Sequence, residues 1–96
     1  MTIFALVEFK VKENKLKEFL DFTKQVLPDT RNYEGCVYLK STVSLDGQKV
    51  VLIEEWETKE HHEKYLKWRL DNGLAQAIEP FVSGFSTVYL NTKDEY

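Results

Sequence analysis

The stretch that decides the fold is residues 50–73, which read VVLIEEWETKEHHEKYLKWRLDNG. The apolar and β-branched run ending at Trp56 predicts a strand, and the charged segment after it predicts a helix. Thr58 is placed to cap that helix and Gly73 to end it. A strand that runs directly into a helix can wall a small cavity between sheet and helix, and cavities lined by aromatic rings with a few polar groups bind small ligands. The junction is therefore the candidate site.

The segment before residue 36 predicts a strand followed by a helix. Apolar side chains alternate along residues 2–11, which is strand periodicity. From Asn14, the expected N-cap, apolar residues recur at helical spacing. Pro28 should kink this helix or end it near Leu27, because proline removes a backbone donor and crowds the preceding turn.

The remaining strands are predicted from turn residues and composition. Residues 36–45 and 49–57 are β-rich runs separated by Asp46-Gly47, and an Asp-Gly pair between strands predicts a hairpin whose two turn positions have positive φ. A short helical turn is expected over residues 74–79, a last strand over residues 82–90, and a polar tail over residues 91–96.

This order of elements predicts an α+β fold of the ferredoxin-like, split-βαβ type. In this βαββαβ arrangement, two helices cover one face of a four-stranded antiparallel sheet. The other face would expose large apolar side chains, such as Phe4 and Leu6 on the first strand and Val51 and Ile53 on the third. Leaving five or six such groups in water would forgo on the order of 10 kcal/mol, so we expect a homodimer packed sheet against sheet. Residues 1–96 are expected to form a single domain.

Composition excludes several classes of function. The chain has 13 Lys and Arg against 16 Asp and Glu, with the signs interspersed, so we expect no nucleic-acid partner. The apolar run of residues 3–7 is too short to span a membrane, and the single Cys36 argues for a reducing compartment, so a cytoplasmic location is expected. Adjacent His61 and His62 would point apart on a helix, and no metal site is expected.

At this point the sequence resembles a known family. The order of elements, the Glu54-x-Trp56 motif that closes the third strand, and the segment YLKWRLDNG of residues 65–73 are similar to the antibiotic biosynthesis monooxygenases. The resemblance runs from about Ile3 to Leu90. It implies a dimeric α+β barrel, related to quinol monooxygenases, that oxidises a small aromatic polyphenol or hydroquinone with O2 and no cofactor.

The resemblance also implies site residues. Some members use a Trp at the end of the third strand, a polar residue four positions before it, a Tyr six after it and an Arg about twenty after it. Counted from Trp56, those positions hold Leu52, His62 and Gln76. Trp56 and His62 are then the candidate catalytic residues, and His62 could accept a phenolic proton because imidazole titrates near neutral pH. Leu52 and Gln76 become candidate substrate-binding residues.

Three further residues are candidates for binding the substrate. Glu54 has the same strand parity as Trp56, so it is expected either to pair with Arg69 or a lysine, or to act as acid-base partner of His62. Tyr65 and Arg69 are four residues apart on the helix and could hold a ligand oxygen, although an Arg laid over an aromatic ring is the commoner outcome.

Two functions from different classes remain open. The first is a cofactor-independent monooxygenase whose cavity is lined by Trp56, His62, Tyr65 and Arg69. The second is a non-catalytic dimeric barrel that binds a small apolar ligand in a stress-response or regulatory role. Apolar Leu52 in place of a polar group favours the second, whereas a titratable His62 beside several rings favours the first.

Overall fold

The computed structural model describes residues 1–94, which form four strands and three helices. Their order is β1 (Ile3–Val11), α1 (Leu16–Arg31), β2 (Cys36–Val43), β3 (Lys49–Trp56), α2 (Lys59–Asp71), α3 (Leu74–Ile78) and β4 (Val82–Asn91). The strands pair antiparallel in the order β2-β3-β1-β4. The predicted α+β ferredoxin-like fold is confirmed. Residues 95 and 96 of the predicted tail lie outside the described range, and Asn91 still belongs to β4.

Both predictions about the ends of α1 are wrong. The helix begins at Leu16 after Lys15, and Asn14 does not cap it but adopts φ +63°, a left-handed turn conformation that asparagine tolerates. The helix continues through Pro28 to Arg31 instead of ending near Leu27, and the alternative of a kink at Pro28 stays a prediction. Pro28 lies in the last turn, where its missing N–H costs a single helical hydrogen bond on an exposed side of the helix.

The second helix begins and ends as predicted. Thr58 has extended backbone angles, and its hydroxyl accepts a hydrogen bond from the His61 amide at 3.1 Å. Gly73, with φ +93°, follows the end of α2 and turns the chain into α3. Among residues 1–94, none of the helices is long and apolar enough to cross a membrane.

The β2–β3 hairpin forms as predicted, but its turn is of a different kind. Gly47 has φ +73°, whereas Asp46 has a negative φ, so the predicted two-residue turn is wrong. The loop is longer and is closed where the Ser44 amide donates to the Lys49 carbonyl at 2.9 Å. The Asp46 carboxylate stabilises it by accepting from the Ser44 hydroxyl at 2.6 Å and the Gln48 amide at 2.9 Å.

The two faces of the sheet are divided by strand alternation, as the sequence indicated. On β3 the helix-facing row is Val50, Leu52, Glu54 and Trp56, and all four are buried. The opposite face carries apolar side chains that no helix covers. They are Phe4, Leu6, Tyr38, Val51, Ile53, Val88 and Leu90. Val88, with an exposed fraction of 53%, is the most open of these.

Gly35→Ala should destabilise the protein strongly. Gly35 has φ +92°, and a Cβ at this position would overlap the side chain of His61, which lies against it in the first turn of α2. We expect the free energy of unfolding in urea to fall by about 2 kcal/mol or more. Gly84→Ala is the matched control, because a Cβ there meets nothing within 4 Å and Gly84 has no positive φ. Equal stabilities of the two variants would contradict this account of the turn.

Candidate functional site

A cavity of about 280 Å³ lies between the three helices and the helix-facing side of the sheet. The wall from α1 forms because its inward residues recur at three- and four-residue intervals, which places them on one face. The short helix α3 closes the side beyond Gly73. The lining residues are mostly apolar and include Phe9, Phe19, Phe22, Val26, Leu27, Leu52, Trp68, Leu74, Ala77 and Ile78.

One end of this cavity is polar and is built by Thr30, Tyr65 and Arg69, which all line it. The hydroxyl oxygens of Thr30 and Tyr65 are 2.6 Å apart. Arg69 donates from Nε to the Tyr65 Oη at 2.8 Å and from Nη2 to the Thr30 Oγ1 at 3.1 Å. The three side chains therefore form one closed hydrogen-bonded group, named here the Thr30–Tyr65–Arg69 cluster.

Arg69 is also held by the backbone and by aromatic rings. Its Nη2 donates to the Val26 carbonyl at 2.9 Å, in the C-terminal part of α1. The guanidinium carbon lies 4.8 Å from the centroid of the Trp68 ring and 5.4 Å from that of Tyr65, within the range of a cation–π interaction. The guanidinium is thus fixed in place at the cavity wall.

A second group of buried polar side chains lies on the far side of Tyr65. Glu54 and His62 have exposed fractions of 2% and 1%. The Trp56 indole Nε1 donates to the Glu54 Oε1 at 2.8 Å, and the His62 Nε2 lies 3.5 Å from the same oxygen. The His62 Nδ1 is 2.7 Å from the Tyr89 Oη on β4. These four residues are named here the Glu54–His62 cluster.

Burial drives both titratable groups of the Glu54–His62 cluster toward their neutral forms. It raises the pKa of Glu54 to about 7, although the hydrogen bond from the Trp56 indole opposes the shift. Burial also lowers the pKa of His62 to about 4. Between these values a neutral carboxyl faces a neutral imidazole, and the Tyr89 hydroxyl connects the imidazole to a half-buried position on β4. Within residues 1–94, no three His, Cys, Asp or Glu side chains are grouped so as to hold a metal ion.

The structure divides the candidate residues between these two places. Leu52, Tyr65 and Arg69 line the cavity. Trp56, His62 and Glu54 do not, so the expectation that Trp56 and His62 share this cavity with Tyr65 and Arg69 is wrong. The Trp56 and Tyr65 rings pack with centroids 5.2 Å apart, and Tyr65 separates the indole from the cavity. Gln76 is exposed on α3 and lies outside the cavity wall, which Ala77 reaches instead.

The contacts of Glu54 decide between the two partners that were expected for it, a basic side chain or His62. It forms no ion pair with Arg69 or a lysine among the described residues, and it faces His62 instead. Arg69 lies over the aromatic rings, as expected, and it also donates to the Tyr65 hydroxyl; that the pair holds a ligand oxygen stays a prediction.

The α1 wall was not predicted from the sequence as part of the site. Phe19, Phe22, Thr23 and Thr30 all line the cavity, yet they lie more than twenty residues before the junction at Trp56. The available signal was a pair of threonines seven residues apart on an otherwise apolar helix face. A hydroxyl on such a face needs a partner when buried, and Thr30 finds one in Tyr65.

Glu54→Gln should stabilise the protein more at high pH than at low pH. A carboxyl whose pKa rises from 4.5 to about 7 on folding costs no stability below pH 4.5 and its full cost above pH 7. Gln keeps an oxygen for the Trp56 indole but does not titrate. Urea unfolding at the two ends of this window should show a change of about 3 kcal/mol in the difference between variant and wild type. Glu63→Gln, exposed on α2, controls for loss of one carboxyl group. A difference that does not depend on pH would contradict the buried neutral carboxyl.

Comparisons with known proteins agree with the architecture. A family model described as antibiotic biosynthesis monooxygenase matches residues 2–69, well over half of the chain. Among solved structures, a protein from Shewanella oneidensis is 22% identical with a TM-score of 0.78, over 92% of this chain and 87% of that one. A conserved protein from Methanosarcina mazei is 17% identical with a TM-score of 0.82, over 97% and 94%.

A third similar structure was solved with a bound molecule. It is a monooxygenase of Streptomyces coelicolor in complex with the ligand nanaomycin D, 17% identical with a TM-score of 0.77, and the match covers 98% of this chain and 89% of that one. At these identities the structural matches show the fold alone. The match to the family model goes further, and it shows that this chain belongs to the antibiotic biosynthesis monooxygenase family.

Proposed function

We propose that the cavity binds a small aromatic molecule. Its rings would pack against the apolar walls, and one oxygen would lie at the Thr30–Tyr65–Arg69 cluster. The observation that supports this most is the combination of a mostly apolar cavity of about 280 Å³ with the hydrogen-bonded Thr30–Tyr65–Arg69 cluster in its wall. That volume suits a ligand of one or a few rings, since drug-sized ligands occupy pockets of about 300–1,000 Å³.

The reaction proposed for this site is oxygenation of an electron-rich polyphenol or hydroquinone without a cofactor. Family membership supports a monooxygenase-type or ligand-binding function. In the proposed reaction one oxygen atom of O2 enters the ligand in place of two hydrogens, and the other oxygen atom leaves as water. All electrons come from the ligand, so the protein's part is to bind it, exclude water and favour its ionised form.

The alternative is a binding protein without catalytic activity, in a stress-response or regulatory role. One observation favours it: His62, the expected base, is enclosed behind Tyr65, bonded to Tyr89 through Nδ1 and facing Glu54 through Nε2.

Oxygen uptake with a panel of hydroquinones separates the two functions. Uptake supports the monooxygenase, and binding without uptake supports the alternative. Activity unchanged in both His62→Ala and Trp56→Phe would remove these residues from the mechanism.

Ala77→Phe should block ligand binding. Ala77 lines the cavity from α3, and a phenyl ring there would occupy space that the ligand needs. We expect the Kd for 2-naphthol, measured by titration calorimetry, to rise at least tenfold, about 1.4 kcal/mol. The control is Ala75→Phe, the same substitution two residues away on the same helix; both alanines are exposed, but only Ala77 lines the cavity. Equal Kd values for both variants would place the ligand elsewhere.

The active unit is proposed to be a cytoplasmic homodimer of single-domain chains, packed through the open face of the sheet. Seven apolar side chains on that face lack a cover within residues 1–94, including Tyr38, Val88 and Leu90, which are each more than 40% exposed. Covering such a patch removes apolar area from water and favours association. The single Cys36 supports a reducing compartment.

Val88→Lys should dissociate the proposed dimer. Val88 lies on the open face, on the edge strand β4, and a lysine there would bring two like charges into an apolar interface, one from each chain. Analytical ultracentrifugation should find twice the chain's mass for wild type and a single chain for the variant. Leu45→Lys is the control, because Leu45 is fully exposed in the hairpin loop away from this face. A wild-type protein that sediments as one chain would contradict the proposal.

A further inference from the structure

We propose that the cavity takes its ligand as an oxyanion: Arg69 binds a phenol that ionises on entering, and its proton goes to solvent rather than to a side-chain base. This inference rests on the proposed function and names the chemical class that the cavity selects. Arg69, rather than His62 as predicted from the sequence, would then promote the loss of the phenolic proton.

The first support is an uncompensated charge. Sixteen residues line the cavity, and Arg69 is the one charged side chain among them. Within residues 1–94 no carboxylate lies within 4 Å of its guanidinium. The half-buried guanidinium has hydrogen-bond and aromatic partners but no anionic one, so an anionic ligand gains an interaction that a neutral analogue lacks.

The second support is the set of N–H groups that Arg69 has left. A guanidinium carries five donors, and three of them serve the Tyr65 hydroxyl, the Thr30 hydroxyl and the Val26 carbonyl. The two donors on Nη1 have no acceptor among the hydrogen bonds of residues 1–94. Arg69 lines the cavity and its other three bonds fix the guanidinium, so an oxyanion bound at Nη1 would require none of those bonds to break.

The third support is a hydroxyl proton. Thr30 and Tyr65 together have two hydroxyl protons, and their mutual bond at 2.6 Å uses one of them. Both oxygens also accept from Arg69, so the second proton has no protein acceptor in the described part of the chain. Both residues are more than nine-tenths buried, and both line the cavity. A ligand oxygen at this end would accept that proton's hydrogen bond as well as those of Arg69.

The cavity wall contains no side chain of opposite charge to neutralise Arg69. No Asp, Glu, Lys or His side chain lines the cavity. Burial raises the pKa of the Tyr65 hydroxyl, so it remains a neutral donor at neutral pH. Glu54 acts on Tyr65 from the far side, and its own pKa is raised to about 7 by burial. On α1, Thr30 and Val26 present a hydroxyl and a carbonyl to Arg69.

This arrangement would replace a general base in the proposed reaction. The neutral phenol gives up a proton to water and becomes a phenolate, and no atom of the protein changes its protonation state. The phenolate is the more strongly reducing form of the ligand. Lowering the ligand's own pKa therefore favours its reaction with O2 without a histidine in the cavity.

The test is a spectrophotometric pH titration of 4-nitrophenol, whose anion absorbs at longer wavelength than the neutral form. In the presence of saturating wild-type protein, its pKa should fall by about one unit, a tenfold preference for the anion. A bound pKa equal to that in water, or higher, would overturn the inference while leaving binding intact. Binding of neither 4-nitrophenol nor 4-nitroanisole, the ether that cannot ionise, would overturn the proposed function and this inference together.

Variants at Arg69 identify the source of the shift. Arg69→Gln should abolish the pKa shift and retain binding of 4-nitroanisole, whereas Arg69→Lys should keep part of the shift because it keeps the charge. Since Arg69 also joins α2 to α1, circular dichroism and the urea midpoint of each variant are measured alongside. If Arg69→Gln does not fold, the wild-type titration still decides the matter. A full shift in folded Arg69→Gln would contradict the role of the guanidinium.

Discussion

Arg69 joins α2 to α1 through contacts with residues 39 and 43 positions earlier in the sequence. Its guanidinium reaches from α2 to the Val26 carbonyl and the Thr30 hydroxyl in the last part of α1, and it holds the Tyr65 hydroxyl on the way. Each of these polar groups is at least partly buried, so each must be bonded for the helices to pack. The position of the cavity and the nature of its polar end both depend on this one set of contacts.

Tyr65 divides the space beneath the helices into two parts with different properties. On one side lies a mostly apolar cavity with Arg69 in its wall. On the other lies the Glu54–His62 cluster of polar and aromatic side chains. The cluster buries a carboxyl and an imidazole, which are held by the Trp56 indole and the Tyr89 hydroxyl. Burial favours the neutral form of both groups, and both are neutral between about pH 4 and pH 7.

Patterns within short segments predicted most of the fold. Alternation located the strands and their faces, and Thr58 and Gly73 marked the ends of α2, because these signals depend on neighbouring residues alone. Asn14 and Pro28 gave wrong predictions for the two ends of α1. The effect of each residue depends on where the helix begins and ends, which packing decides.

The site was harder to predict than the fold for a geometric reason. Strand parity correctly put Leu52, Glu54 and Trp56 on one face, but Leu52 and Trp56 are four residues apart, about 13 Å along a strand, and Tyr65 fills the space beside the indole. Parity gives the face and not the distance along it. The α1 wall depends on how two helices cross, for which no pattern in the Val50–Gly73 segment is informative.

The most direct measurement of the central claim is a crystal structure of the protein grown with a small bicyclic phenol. The account predicts one molecule in the cavity, its ring against Phe22 and Leu74 and its oxygen within hydrogen-bonding distance of the Arg69 Nη1. A phenol bound against Trp56 and His62, or one whose oxygen points away from Arg69, would contradict it.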